Sequence, residues 1–140
     1  MADLRPFHLA IPVRDIESTR EFFVKVLGCG VGREAKTWID FDFFGHQVSA
    51  HVCPKELSKT ETNEVDGDDV PVRHFGVVLE WDHWQYLKQR LEQEEVEFLI
   101  KPGIRFSGET GEQATLFIQD PSGNALEFKS FKDDSSLFEK

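Results

Sequence analysis

Apolar and polar positions alternate with a period of two in "PFHLAIPVRD" (residues 6–15) and again in "RHFGVVLEWD" (residues 73–82). In the first stretch Phe7, Leu9, Ile11 and Val13 fall on one face of a strand, with His8 and Ala10 on the other. In the second, Phe75, Val77, Leu79 and Trp81 oppose His74 and Gly76. A helix is predicted after each strand. Asp15 caps "IESTREFFVKVLG", whose Ile16, Phe23, Val26 and Leu27 form an apolar stripe and whose Gly28 stops it. Asp82, with Gln85 three residues on, predicts a capping box for "HWQYLKQRLEQEEV", where Trp84, Leu87 and Leu91 line one side.

Three strand-like stretches follow each helix. In the first half they lie near residues 30–33, in "TWIDFDFF" and, after a Gly45-His46 turn, in "QVSAHV". In the second half they are "VEFLIK", "QATLFIQ" and "ALEFKSF", the last two joined by the turn signal "DPSGN". Strand, helix and three strands thus occur twice, which predicts an α+β fold of two βαβββ modules in one domain. Module 1 spans about residues 5–53 and module 2 about 72–131. The polar, acidic stretch of about 54–71 reads as a patternless linker, and residues 132–140 as a tail that frays or packs on a partner subunit. Helices on one face of each sheet leave the other face to line a concave surface.

At 140 residues the chain is long enough to bury on the order of 68% of its unfolded surface. Its 39% hydrophobic and 30% charged residues are ordinary for a globular protein, while Phe is used 13 times. A formal charge of −10, with Lys and Arg scattered among carboxylates, argues against nucleic acid or an anionic membrane as partner. The N-terminal run is broken by His and Pro, so it reads as neither a secretory signal nor an anchor. Cys29 and Cys53 lack metal-type spacing and read as reduced thiols of a cytoplasmic protein.

Alternation turns a set of chemically capable side chains toward the concave face. His8 and His74 open their strands there, and Glu127 follows in "ALEFKSF" beside Ala125 and Lys129. Two imidazoles and a carboxylate form the set that suits Fe(II), and with another ligand or water also Mn, Ni, Co or Zn. The alternative is two hydrogen-bonded structural histidines and a solvated glutamate. Gln47, Ser49 and His51 take the inner side of "QVSAHV", and Gln113, Thr115 and Phe117 that of "QATLFIQ", where they are candidate substrate contacts. Arg105, in "PGIRFSGETGEQ", either pairs with a substrate carboxylate or phenolate or makes a surface salt bridge. For Trp38, Asp40 and Asp42 against Ile39, Phe41 and Phe43, the pattern leaves open which face meets the cleft.

From "FHLAIPVRDIESTREFFVKVLG" through "DPSGNALEF", the chain resembles the vicinal oxygen chelate superfamily. That superfamily includes glyoxalase I, fosfomycin- and bleomycin-resistance proteins, methylmalonyl-CoA epimerase and extradiol dioxygenases. "TWIDFDFFGHQVSAHV" and "GEQATLFIQDPSGNALEFK" are similar to small proteins described as predicted extradiol-dioxygenase relatives. The resemblance implies a partly closed, mixed β-barrel-like sheet, a homodimer and one divalent metal held by His8, His74 and Glu127. The metal would be Fe2+ in a dioxygenase and Zn2+, Ni2+, Co2+ or Mn2+ otherwise. It implies that His51, ahead of Ser49, is a fourth ligand or an acid/base group. The implied activity is metal-dependent catalysis on a small organic substrate bound through two oxygens. The alternatives are a glyoxalase-like isomerase or lyase and metal-free sequestration of a ligand. Two features depart from the pattern: Phe117 stands where extradiol enzymes have a Tyr, and there is no Arg cluster of the glyoxalase I kind beyond Arg105 and Arg33.

Overall fold

A computed structural model describes residues 4–57 and 60–140, in two compact units. The first comprises residues 4–57 together with Asp120–Asn124. Its strands are β1 (His8–Val13), β2 (Gly30–Glu34), β3 (Trp38–Phe43) and β4 (His46–Val52), in sheet order β1-β4-β3-β2. β1 and β4 run parallel, and the other pairs are antiparallel.

Between β1 and β2 the chain forms α1 (Ile16–Arg20), which widens into a π turn over Glu21–Val26. Asp15 caps α1 as expected, its Oδ1 accepting from the Ser18 N–H at 2.8 Å. The π turn is the departure from a uniform 3.6-residue stripe. It buries the consecutive Phe22 and Phe23 together, and Phe23 stacks on Phe41 with centroids 4.8 Å apart. That answers the open question for β3. Ile39, Phe41 and Phe43 are core, and Trp38, Asp40 and Asp42 occupy the opposite face. Phe7, expected in the core row, lies ahead of β1 and is 65% exposed. The β3–β4 turn is made by Phe44 and Gly45, both at positive φ, so His46 is the first residue of β4 and no part of the turn.

The second unit comprises residues 60–119 and 125–140. Its sheet repeats the first: β7 (Phe75–Val78), β8 (Ile100–Arg105), β9 (Gln113–Gln119) and β10 (Ala125–Phe131), ordered β7-β10-β9-β8, with β7 parallel to β10. The helix α2 (Trp81–Gln93) buries Trp84, Leu87 and Leu91, and the Trp84 indole donates to the Phe128 carbonyl at 2.9 Å. It starts one residue ahead of the expected cap. Glu80 holds the N-cap position without a side-chain bond, and Asp82 sits inside the first turn, where its charge complements the helix dipole.

The stretch read as a linker contains a hairpin, β5 (Glu61–Val65) paired with β6 (Asp68–Val72). Its two-residue turn is Asp66-Gly67, with φ of 49° and 86°, as a type I′ turn requires. The tail forms a 3-10 turn over Asp134–Phe138, capped by Asp133, with Ser136 buried. Among the described residues, no helix is long and apolar enough to cross a membrane.

Candidate functional site

The second unit brings four of the expected residues into one cluster. Glu127 on β10 lies opposite Phe117 on β9 and Gly76 on β7, and all three share the face away from the Leu126–Phe128 core row. His74, just ahead of β7, turns its ring to this carboxylate, with Nε2 3.2 Å from Oε1. The other ring nitrogen, Nδ1, lies 2.6 Å from the Pro71 carbonyl oxygen. Thr115 donates its hydroxyl to Glu127 Oε2 at 2.5 Å, and the Phe117 ring meets the imidazole edge-on at 5.0 Å. Lys129 follows on the same face, its Nζ 3.9 Å from Oε1.

The electrostatics of the pair follow from these contacts. Burial by itself would push the Glu127 carboxyl up, but hydrogen bonds from His74 and Thr115, with the Lys129 charge, hold it below its usual value. His74 moves the other way. Its hydrogen bond to Glu127, reinforced by the Pro71 carbonyl, raises it above the ordinary 6.5 against the opposing effect of burial.

A metal fits this donor pair. The Pro71 carbonyl beside Nδ1 orients the ring so that Nε2 faces Oε1; with Nε2 deprotonated, the imidazole and the carboxylate would together offer a cation one nitrogen and one oxygen donor. Two donors each about 2.1 Å from one ion stand roughly 3.0–3.4 Å apart at cis-octahedral to tetrahedral angles; the observed separation is 3.2 Å. Among the described residues, no group of three or more His, Cys, Asp or Glu is gathered as an ion site.

The remaining expected residues have other surroundings. Gln113 donates to the Gly111 carbonyl at 3.2 Å. Arg105, 9% exposed, gives its guanidinium to the hairpin, to the Val65 carbonyl at 3.1 Å and to Asp68 Oδ2 at 2.9 Å. His8 is exposed in the first unit, on β1 beside Gln47 of β4. His51 is exposed on β4, in register with Pro12 and Trp38.

Superposing the two strand registers on each other gives a correspondence that alternation alone does not. His8 pairs with Gln47, so Ala10 pairs with Ser49; on the second sheet Gly76, the counterpart of Ala10, pairs with Glu127. Ser49 is therefore the first-module equivalent of Glu127, and His51 that of Lys129. A carboxylate is nonetheless present in the first module, on the neighbouring strand. Asp40, opposite Ser49, is 9% exposed and accepts the Ser49 hydroxyl at 2.6 Å.

The model of the Glyoxalase/Bleomycin resistance protein/Dioxygenase superfamily matches residues 5–128. A glyoxalase/bleomycin resistance protein/dioxygenase from Alicyclobacillus acidocaldarius is 36% identical, over 95% of this chain and 96% of that one, with a TM-score of 0.78. Two more distant structures share the fold. A genomically encoded fosfomycin resistance protein from Listeria monocytogenes is 14% identical over 98% of this chain and 99% of that one, at TM-score 0.70. A lactoylglutathione lyase from Agrobacterium tumefaciens is 16% identical over 100% and 98%, at TM-score 0.64. Among curated proteins, none matches.

Proposed function

The chain belongs to the Glyoxalase/Bleomycin resistance protein/Dioxygenase superfamily, and from that premise we propose that it is a metal-dependent enzyme acting on a small organic substrate through two adjacent oxygens. The observation that carries this reading is the His74–Glu127 pair, 3.2 Å apart, with the imidazole oriented by Pro71 and the carboxylate by Thr115. Orientation of both donors by a further layer of hydrogen bonds is what ligands need and what solvated side chains lack. The sequence repeat adds His8 as a further donor.

A bound divalent ion would supply Lewis-acid polarisation of the two substrate oxygens, lowering the pKa of an enol, enediol or catechol. With Fe2+ the reaction class is dioxygenation; with Zn2+, Ni2+, Co2+ or Mn2+ it is isomerisation or lyase chemistry. The chain's own contribution begins with orientation. Thr115 fixes one oxygen of Glu127 and leaves the other directed at His74. Phe117 packs edge-on against one side of the imidazole. Lys129 brings a positive charge to the same face, suited to an anionic substrate oxygen. Proton transfer is assigned to His51, a role the sequence resemblance suggests.

Elemental analysis of protein purified anaerobically without a His-tag tests the reading. About one equivalent of a divalent metal per chain is expected, falling by at least about 100-fold in affinity in His74→Ala, since loss of even an outer-layer partner costs 10–100-fold. Absence of metal after reconstitution would overturn it in favour of a metal-free ligand-sequestering protein.

A further inference from the structure

We propose that Arg105 is a positioning residue for His74, acting through the β5–β6 hairpin, which lies as a strap over the sheet face that carries Glu127. The inference deepens the metal reading, since the imidazole it steadies is the ligand named there.

The strap meets diagonally opposite corners of the second sheet. His74 stands just ahead of β7, one edge strand, whose Phe75 pairs with Leu126 near the start of β10. Arg105 ends β8, the other edge strand, opposite Gln113, which in turn faces Phe131 at the end of β10. At the first corner the Pro71 carbonyl of β6 lies 2.6 Å from His74 Nδ1. At the second the Arg105 guanidinium donates to the Val65 carbonyl at 3.1 Å and to Asp68 Oδ2 at 2.9 Å. Neighbouring strands are about 4.8 Å apart, which sets the two edges about 14 Å from each other. A segment that meets both corners therefore crosses the strands between them.

The crossing is on the site face. Directly opposed residues of an antiparallel pair share a face, so Arg105 lies with Gln113. Gln113 alternates with Thr115 and Phe117, and Phe117 stands opposite Glu127. α2 packs on the other side of the sheet, where Trp84 bonds to Phe128, yet Thr115 and Phe117 are only 2% and 1% exposed. The strap in turn buries Val70 and Pro71 of β6.

Arg105 is what holds the strap down. A two-stranded hairpin by itself is marginal in water, and every residue of β5 is exposed. Val65 and Asp68 flank the Asp66-Gly67 turn, so the guanidinium grips the hairpin at its tip, its fork serving a carbonyl and a carboxylate at once. Pro71 lies at the other end, three residues before His74. With the tip released, the hairpin lifts and the Pro71 carbonyl leaves Nδ1.

The test follows two sets of protons in the whole protein, kept metal-free with chelator at fixed pH: the backbone amides of residues 61–72 and the ring Nδ1–H of His74. NMR reads the exchange of each with water. Arg105→Met is expected to quicken both by the same factor, about tenfold, because one opening exposes both. Asp68→Ala, at a half-exposed side chain, should quicken both equally by a smaller factor, and it decides should Arg105→Met fail to fold. A latch that merely stabilises the hairpin would speed the amides and leave the ring proton at its wild-type rate. That result would overturn the proposal, as would an unprotected ring proton in the wild type or unchanged hairpin exchange in the variants. Equal acceleration of the β9 and β10 amides would also overturn it, by showing general unfolding. Metal is withheld throughout, so failure of the metal reading shows in elemental analysis and failure of the strap shows here.

Discussion

A Cβ on Gly76 would stand 1.5 Å from the carbonyl oxygen of Glu127, so the absence of a side chain there lets β7 approach β10 closely enough to pair beside the proposed ligand. Gly76→Ala is expected to cost at least about 2–3 kcal/mol, as overpacking against unyielding backbone does, and to displace Glu127. Urea unfolding gives the first quantity, and weakened metal binding in the folded fraction reports the second. Asp120 makes a second residue-scale case. Within the first unit its Oδ1 accepts from the Ser122 and Asn124 N–H groups at 2.9 and 2.8 Å, and Asn124 in turn donates to the Pro12 carbonyl at 2.8 Å. Burial nevertheless raises the Asp120 pKa above 3.8, the hydrogen bonds only partly offsetting it. A raised folded-state value means that its contribution to stability is complete below 3.8 and lost as pH rises through the folded pKa. The stability of Asp120→Asn relative to wild type should therefore improve from pH 3.5 toward neutrality; a difference in urea midpoint constant with pH would refute this. At this scale the sequence disclosed which side chains could do chemistry, because alternation assigns faces. The Ser49–Asp40 bond and the role of Gly76 stayed hidden, since each depends on which residue of another strand stands opposite.

Among the elements, the β5–β6 hairpin shows how a charge-rich stretch can conceal a strand pair. Glu64 and Asp69 face each other across it, a like-charge pairing that costs stability. Compensation comes from Arg105, 40 residues from Val65 and 37 from Asp68 along the chain. Replacing Arg105 by Met should expose the hairpin without unfolding the sheets, raising amide exchange in residues 61–72 about tenfold, the equivalent of ~1.4 kcal/mol for a charge-assisted bond. Unchanged exchange would show the bracket to be without effect. The Asp66-Gly67 turn is a hairpin signal legible in the sequence; the acidic, weakly apolar strands around it masked the pattern. The helices were legible from their apolar stripes. What those stripes did not convey was the π turn, which is chosen by the packing of Phe22 and Phe23 together and has no signature of its own in the 3.6-residue period.

For the molecule as a whole, the role of His8 is read most directly by stoichiometry. If His8 serves the proposed metal, His8→Ala should reduce the equivalents bound, as His74→Ala does, with far-UV circular dichroism unchanged; full retention would confine the donors to His74 and Glu127. The sequence by itself determined the α+β class, the twofold βαβββ order and the candidates His8, His74 and Glu127. These rest on local periodicity and on a repeated phrase, both written along one dimension. The tertiary structure decided what depends on strand register. It set Ser49 at the counterpart position of Glu127, moved the first-module carboxylate to Asp40, turned Arg105 to the hairpin and gave His74 its carbonyl. Register is a property of pairs of strands, fixed by the packing of both faces and by turn geometry. No single stretch of chain contains it.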